Sequence, residues 1–112
     1  MHETVDLKVS YHLSDDGRDA TLVLPEKFVF GIYAAINKAL KELPDTNKQV
    51  ILDFSTTKII DSAGMGILLD LQENLNKEGR QLSLKDVGGD VALLLKKVHL
   101  DKALTIIFAS DA

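Results

Sequence analysis

Ser62 is the residue whose surroundings come closest to those of a catalytic nucleophile, because Asp61 directly precedes it. Hydrolysis by a serine needs a histidine that takes the hydroxyl proton and a carboxylate that orients the far side of that histidine. As the immediate neighbour of Ser62, Asp61 cannot easily stand behind His12 or His99, and the sequence has no Gly-x-Ser-x-Gly turn. We therefore do not expect an enzyme.

Phosphate-binding and metal-binding patterns are also missing. The glycine pairs Gly64/Gly66 and Gly88/Gly89 match neither the phosphate loop of nucleotide hydrolases nor the dinucleotide fingerprint. The chain has no cysteine, and its three histidines show no ligand spacing. We expect no cofactor and no metal site.

Composition narrows the class of protein further. The 112 residues are 46% hydrophobic and 27% charged, which suits one globular domain spanning residues 1–112. The 13 basic and 17 acidic residues give a net charge of −4 without a basic cluster, so we expect no nucleic-acid partner. The sequence shows no signal peptide and no run of roughly 20 apolar residues. We expect a cytoplasmic protein that does not insert into a membrane.

The first half of the chain predicts a hairpin followed by a helix. Apolar residues alternate over residues 5–11, the turn formers of residues 14–17 follow, and residues 20–24 form a second apolar run. These runs predict an antiparallel N-terminal β-hairpin. Apolar residues then repeat at three and four from about Phe30 to Pro44, which predicts an amphipathic helix.

The second half alternates strands with helices. The apolar run at residues 50–54 predicts a central strand covered on both faces, and a helix follows from Asp61 to Gly79. A short strand at residues 82–84, a helix at residues 91–98 and a strand at residues 104–108 complete the chain. We expect an α/β domain with a mixed, mostly parallel sheet of about five strands, covered by three to four helices.

The start of the second predicted helix allows two interpretations. Asp61 or Ser62 can cap the helix, and Gly64 and Gly66 can let it approach the sheet closely. Met65 lies outside the apolar stripe of the helix, as does Leu69, and both share an arc with Ser62. From these residues alone, the pair can equally form a docking face for another protein or pack beneath a neighbouring helix or loop.

The sequence resembles the STAS domain, the fold of bacterial anti-sigma factor antagonists. The buried run at residues 50–54 and the later Ile60-Asp61-Ser62-Ala63-Gly64-Met65-Gly66 carry the resemblance, and the order of elements agrees over nearly the whole chain. The resemblance implies that Ser62 is the regulatory phosphorylation site. Asp61, Ala63 and Gly64 would then surround the phosphorylation site, and the predicted partner-binding residues are Met65, Gly66, Leu69 and Glu73.

The resemblance also implies partner switching. The unphosphorylated form would bind an anti-sigma factor or serine-protein kinase, and phosphorylation by that kinase would release it until a PP2C-type phosphatase reset the switch. ATP and metal would belong to these partners, and the chain would be a kinase substrate and not a catalyst. We expect a monomer, and we expect a phosphate on Ser62 to leave the helix folded, since it meets the positive end of the helix dipole.

Two positions depart from the family pattern. Val29 stands where many antagonists carry an acid near the phosphorylated serine, which bears on kinase recognition and on whether Ser62 is phosphorylated at all. His99 stands where a glycine is common, and we expect it to adopt a positive φ there as a cap. Two other functions stay open: a STAS accessory subunit of a membrane transporter of the lipid-transport ATPase type, and a small-ligand sensor.

Overall fold

The computed structural model describes residues 7–110. Within that range the chain forms strands and helices in an alternating order. The elements are β1 (Ser10–Leu13), β2 (Asp19–Val23), β3 (Lys27–Phe28), α1 (Ile32–Lys41), β4 (Gln49–Asp53), β5 (Ile59–Ile60), α2 (Ser62–Lys77), β6 (Gln81–Val87), α3 (Gly89–Lys97), α4 (Leu100–Ala103) and β7 (Thr105–Phe108).

The main sheet has five strands in the order β1-β2-β4-β6-β7. The β1–β2 pair is antiparallel and every other pair is parallel, which confirms the predicted mixed sheet and hairpin. Each helical crossover moves one strand further in the same direction, so right-handed connections place α1, α2 and α3 on one face. The core lies between that face and the helices and includes Leu22, Leu52, Leu84, Ile36, Leu68 and Leu95.

Among the described residues, helices cover one face only of the central strand β4. Val50 and Leu52 are buried, whereas Ile51 between them is half-buried. The predicted cover on both faces was wrong, because crossovers that all run in the same direction stack their helices on the same side.

The first strand begins later than its alternation predicts. Val5 and Asp6 lie outside the described residues, and the ladder starts where Ser10 faces Val23. Extending that register would place Lys8 opposite Pro25, which has no N–H to donate. The alternation itself holds, because Leu7 and Val9 are half-buried and Lys8 is exposed.

A second, small sheet was not predicted. It pairs β3 with β5 in parallel, with Lys27 facing Ile59 and Phe28 facing Ile60. Strands of two residues are too short to show a period, so the sequence pattern could not reveal them. This small sheet leads directly into α2.

The chain after α2 differs from the prediction in two details. Strand β6 runs to Val87, beyond the predicted residues 82–84, and its ladder with β7 is irregular between Leu84 and Val87. The helical segment divides at His99, which has φ 64° and begins α4. The positive φ confirms the expectation for this histidine.

Buried Asn47 joins three strands where the sheet begins. Its side-chain amide donates to the carbonyl oxygens of Arg18 at 3.1 Å and Gln49 at 3.0 Å. Its Oδ1 accepts a hydrogen bond from Nη1 of Arg80 at 3.1 Å. The side chain therefore connects the residues leading into β2, β4 and β6.

Replacing this amide should destabilise the fold. We expect Asn47→Ala to lower the free energy of unfolding by about 1–2 kcal/mol, since it removes the three hydrogen bonds of a buried side chain. Urea denaturation measures the change, with Asn74→Ala on the exposed side of α2 as the matched control. Equal stability of the two variants would show that Asn47 has no such role.

Candidate functional site

The candidate site lies where β5 ends and α2 begins. Ser62 is the first residue of α2 and is exposed, and within residues 7–110 its hydroxyl has no hydrogen-bond partner. Ala63 is half-buried and Gly64 is buried behind it. The predicted phosphorylation site is therefore a free hydroxyl at a helix N-terminus.

Asp61 caps α2 and leaves Ser62 free of that role. Its backbone is extended, with φ −104° and ψ 178°, and the Gly64 N–H donates to Asp61 Oδ1 at 2.6 Å. Its other oxygen, Oδ2, accepts a hydrogen bond from the N–H of Phe30 at 3.2 Å. Both carboxylate oxygens thus bind backbone N–H groups, one in α2 and one in the loop before α1.

Gly64 lets the first turn of α2 approach the small sheet. A Cβ at this position would lie 2.3 Å from the carbonyl oxygen of Phe28 and 3.0 Å from Cγ1 of Ile60. The corresponding expectation for Gly66 was wrong, because that residue is exposed and a Cβ there would meet nothing within 4 Å. Gly66 lies on the outer side of the helix, away from the sheet.

The predicted partner-binding residues differ in their exposure. Leu69 is 40% exposed, whereas Met65 is half-buried and packs against the core. Glu73 is exposed and forms an ion pair with Lys77, with Oε1 and Nζ 3.4 Å apart. The open apolar surface on α2 therefore consists of Leu69 and part of Met65, with Glu73 further along the helix.

Sequence reasoning missed Phe30 as a site residue. Its side chain is 81% exposed, and its backbone N–H binds the carboxylate that caps α2. Phe30 looks like the first apolar residue of α1 in the sequence, but Gly31, with φ 100°, separates it from that helix. A phenylalanine directly before a glycine and a helix was the signal that could have placed it in a turn.

A cleft of about 610 Å³ opens at the carboxyl ends of the strands, beside the start of α3. Its lining contains one lysine and two aspartates, so its charge does not select one class of ligand. Residues 7–110 contain no group of three histidine or carboxylate side chains placed to hold a metal ion. No helix in that range is long and apolar enough to cross a bilayer.

The cap can be tested by removing its carboxylate. We expect Asp61→Ala to lower the free energy of unfolding by about 1–2 kcal/mol, because the Gly64 and Phe30 N–H groups lose their acceptors. Asp61→Asn should lose less, since an amide oxygen still accepts one of these bonds. Asp70→Ala, on the exposed side of α2, is the control in urea denaturation, and equal stability of Asp61→Ala and Asp70→Ala would contradict this role.

The two glycines of α2 provide a matched pair. We expect Gly64→Ala to cost about 3 kcal/mol, since a methyl group would overlap a backbone carbonyl that cannot move away freely. Gly66→Ala should raise stability by about 0.5–1 kcal/mol, since alanine is the better helix former in open space. Thermal melts of both variants check the difference, and a similar melting temperature would rule out the close approach.

Comparison with known proteins agrees with this fold. The chain is 27% identical over 93 residues to a STAS-domain containing protein of Pseudomonas aeruginosa, covering 83% of this chain and 92% of that protein. A sulfate transporter family protein of Wolinella succinogenes superposes with a TM-score of 0.72 at 24% identity, over 86% of this chain and 80% of that one. The anti-sigma factor antagonist SpoIIAA, in its unphosphorylated form, superposes with a TM-score of 0.64 at 15% identity, over 91% and 89% of the two chains. At such identities these structures establish the fold, and because residues 13–111 match the model of the STAS domain, the chain belongs to the STAS domain family.

Proposed function

We propose that this chain is an anti-sigma factor antagonist that works by partner switching. In this proposal the unphosphorylated form binds an anti-sigma factor or serine-protein kinase, and phosphorylation of Ser62 releases it. The observation that carries the proposal is the exposed Ser62 hydroxyl at the start of α2, which has no hydrogen-bond partner among residues 7–110. A kinase can reach this hydroxyl without breaking a hydrogen bond that the fold uses.

The surroundings of Ser62 can accept a phosphate without unfolding. The first turn of α2 contains no acidic residue, and Asp61 already caps the helix through Gly64. A phosphate adds about −1.5 to −2 charges, which the positive end of the helix dipole stabilises. The phosphate would therefore act on the surface that the helix presents and leave the fold in place.

The same surface can bind a partner in the unphosphorylated state. Leu69 exposes 40% of its side chain on α2, and Met65 contributes part of its surface nearer to Ser62. The open backbone at Gly66 lies between them in the sequence. A phosphate at the edge of such an apolar contact would bring bulk and charge into it, at a cost of about 2 kcal/mol or more if the contact is central.

Antagonist-type STAS proteins are not enzymes, and the proposal makes this chain a kinase substrate. A PP2C-type phosphatase would remove the phosphate and restore binding. A sigma-factor circuit operates in the cytoplasm, so the proposal places the chain there, as one domain over residues 1–112. Val29 carries no charge, so the kinase would have to recognise this loop by apolar contacts.

A transporter role is the second candidate, favoured by the superposition on the sulfate transporter family protein. The chain would then be a STAS subunit of a membrane transporter and would bind its partner constitutively. A charge at Ser62 would not control that binding. This difference separates the two candidates experimentally.

The switch predicts opposite behaviour for two substitutions at one position. We expect Ser62→Ala to bind the partner protein as the wild type does, and Ser62→Asp to bind about tenfold more weakly or worse, because a carboxylate places charge in the contact. Ser10→Asp, on the sheet face opposite α2, is the control. Binding is measured by calorimetry, and circular dichroism of the phosphorylated protein should show unchanged helix content.

The modification itself is tested on protein from its native host. Intact mass and peptide mapping in growing and stressed cells should show one phosphate on Ser62 with changing occupancy. An unmodified Ser62 in every condition, together with full binding by Ser62→Asp, would overturn the switch and favour the transporter role.

A further inference from the structure

Phe30 differs from the other phenylalanines near the site. Phe28 and Phe54 are buried and pack with ring centroids 5.3 Å apart, whereas Phe30 exposes 81% of its side chain. An exposed phenyl ring gains nothing from burial in the core. The packing of the described residues therefore gives no reason for an aromatic side chain at this position.

The loop that carries Phe30 is held in place by two hydrogen bonds. The Ile32 N–H donates to the carbonyl of Val29 at 3.0 Å, and the Phe30 N–H donates to Asp61 at 3.2 Å. Gly31 has φ 100°, and a Cβ there would lie 3.3 Å from Cδ1 of Leu7. Since the backbone is already ordered, a partner that contacts Phe30 would pay little conformational entropy for this loop.

Phe30 is also coupled to the predicted phosphorylation site. Asp61 binds the Phe30 N–H with one carboxylate oxygen and caps α2 with the other, and Ser62 is the next residue. A protein that covers Ser62 would therefore also meet the loop before α1. From Phe28 to Ile32 that loop contains only apolar residues and glycine, so the contact it offers is apolar.

We propose that Phe30 is the apolar anchor with which the chain docks on its protein partner, inserting the phenyl ring into an apolar pocket of that partner. The inference rests on the proposed function for the partner's identity, the anti-sigma factor or kinase that responds to Ser62. A rigid aromatic side chain that fills a pocket is the usual centre of a tight protein interface. Ser62 is the first residue of α2, and Met65 and Leu69 follow it on the same helix.

The charge next to the anchor explains how phosphorylation would release it. The Asp61 carboxylate accepts hydrogen bonds from two backbone N–H groups, which stabilise its negative charge. The unphosphorylated contact therefore contains one negative group, and that group is hydrogen-bonded. A phosphate on Ser62 adds further negative charge beside it. An apolar pocket that accepts Phe30 provides no compensation for that charge, which weakens the contact.

The test uses the full chain. The partner is the protein that the wild-type chain retains from an extract of the native host and that the Ser62→Asp chain does not retain. We expect Phe30→Ala to weaken binding of that purified protein about tenfold or more by calorimetry, as for a central aromatic residue. Ile107→Ala is the control, since Ile107 is 61% exposed on edge strand β7, and it should bind within about twofold of wild type, as peripheral contacts do. Both variants should keep the wild-type melting temperature.

The outcomes separate this inference from the proposed function. A loss smaller than tenfold in Phe30→Ala, with release by Ser62→Asp intact, overturns the anchor and leaves the switch standing. If Ser62→Asp retains the same proteins as wild type, the switch is overturned. In that case the binding of Phe30→Ala to the retained protein is measured, and a loss smaller than tenfold overturns the anchor.

Discussion

The carboxylate of Asp61 is the interaction on which the site depends. It accepts hydrogen bonds from the N–H groups of Gly64 and Phe30, residues that belong to two different crossovers of the sheet. One side chain thus sets where α2 begins and how the loop before α1 lies against it. Because the cap is made by Asp61, the hydroxyl of the following serine has no structural duty and stays available at the surface.

The close approach of α2 to the small sheet makes this hydrogen bond possible. Gly64 lies so near the Phe28 carbonyl that no side chain fits between them, and Phe28 belongs to β3, which pairs with β5. The strand that ends at Ile60 and the strand that ends at Phe28 therefore run together into the site. Without this pairing, Phe30 would not be held within reach of the Asp61 carboxylate.

Periodicity predicted the long elements of the fold, because apolar alternation and helical spacing persist over many residues. It could not predict β3 and β5, whose two residues each are too few for a period, and it could not show that helices cover one face only, which follows from the direction of the crossovers. At the site, the sequence correctly predicted that α2 begins at Asp61 and Ser62 with a cap, and that Gly64 lets the helix approach the sheet closely. The sequence also predicted a packing role for Gly66, and the structure shows that this was wrong. Phe30 was missed because the exposure of its side chain depends on the turn at Gly31.

In the proposed function, Asp61 stabilises the helix and Ser62 carries the signal. A helix cap contributes about 1 kcal/mol and a charge near the helix dipole about 0.3–1 kcal/mol, both small against a typical stability of about 5–15 kcal/mol. Loss of an interface centre costs about 2 kcal/mol or more, which changes affinity by more than tenfold. Under the proposed function, a charge placed on Ser62 would therefore change binding more than folding, provided that another residue holds the helix. Asp61, with both oxygens bound to backbone N–H groups, meets that condition.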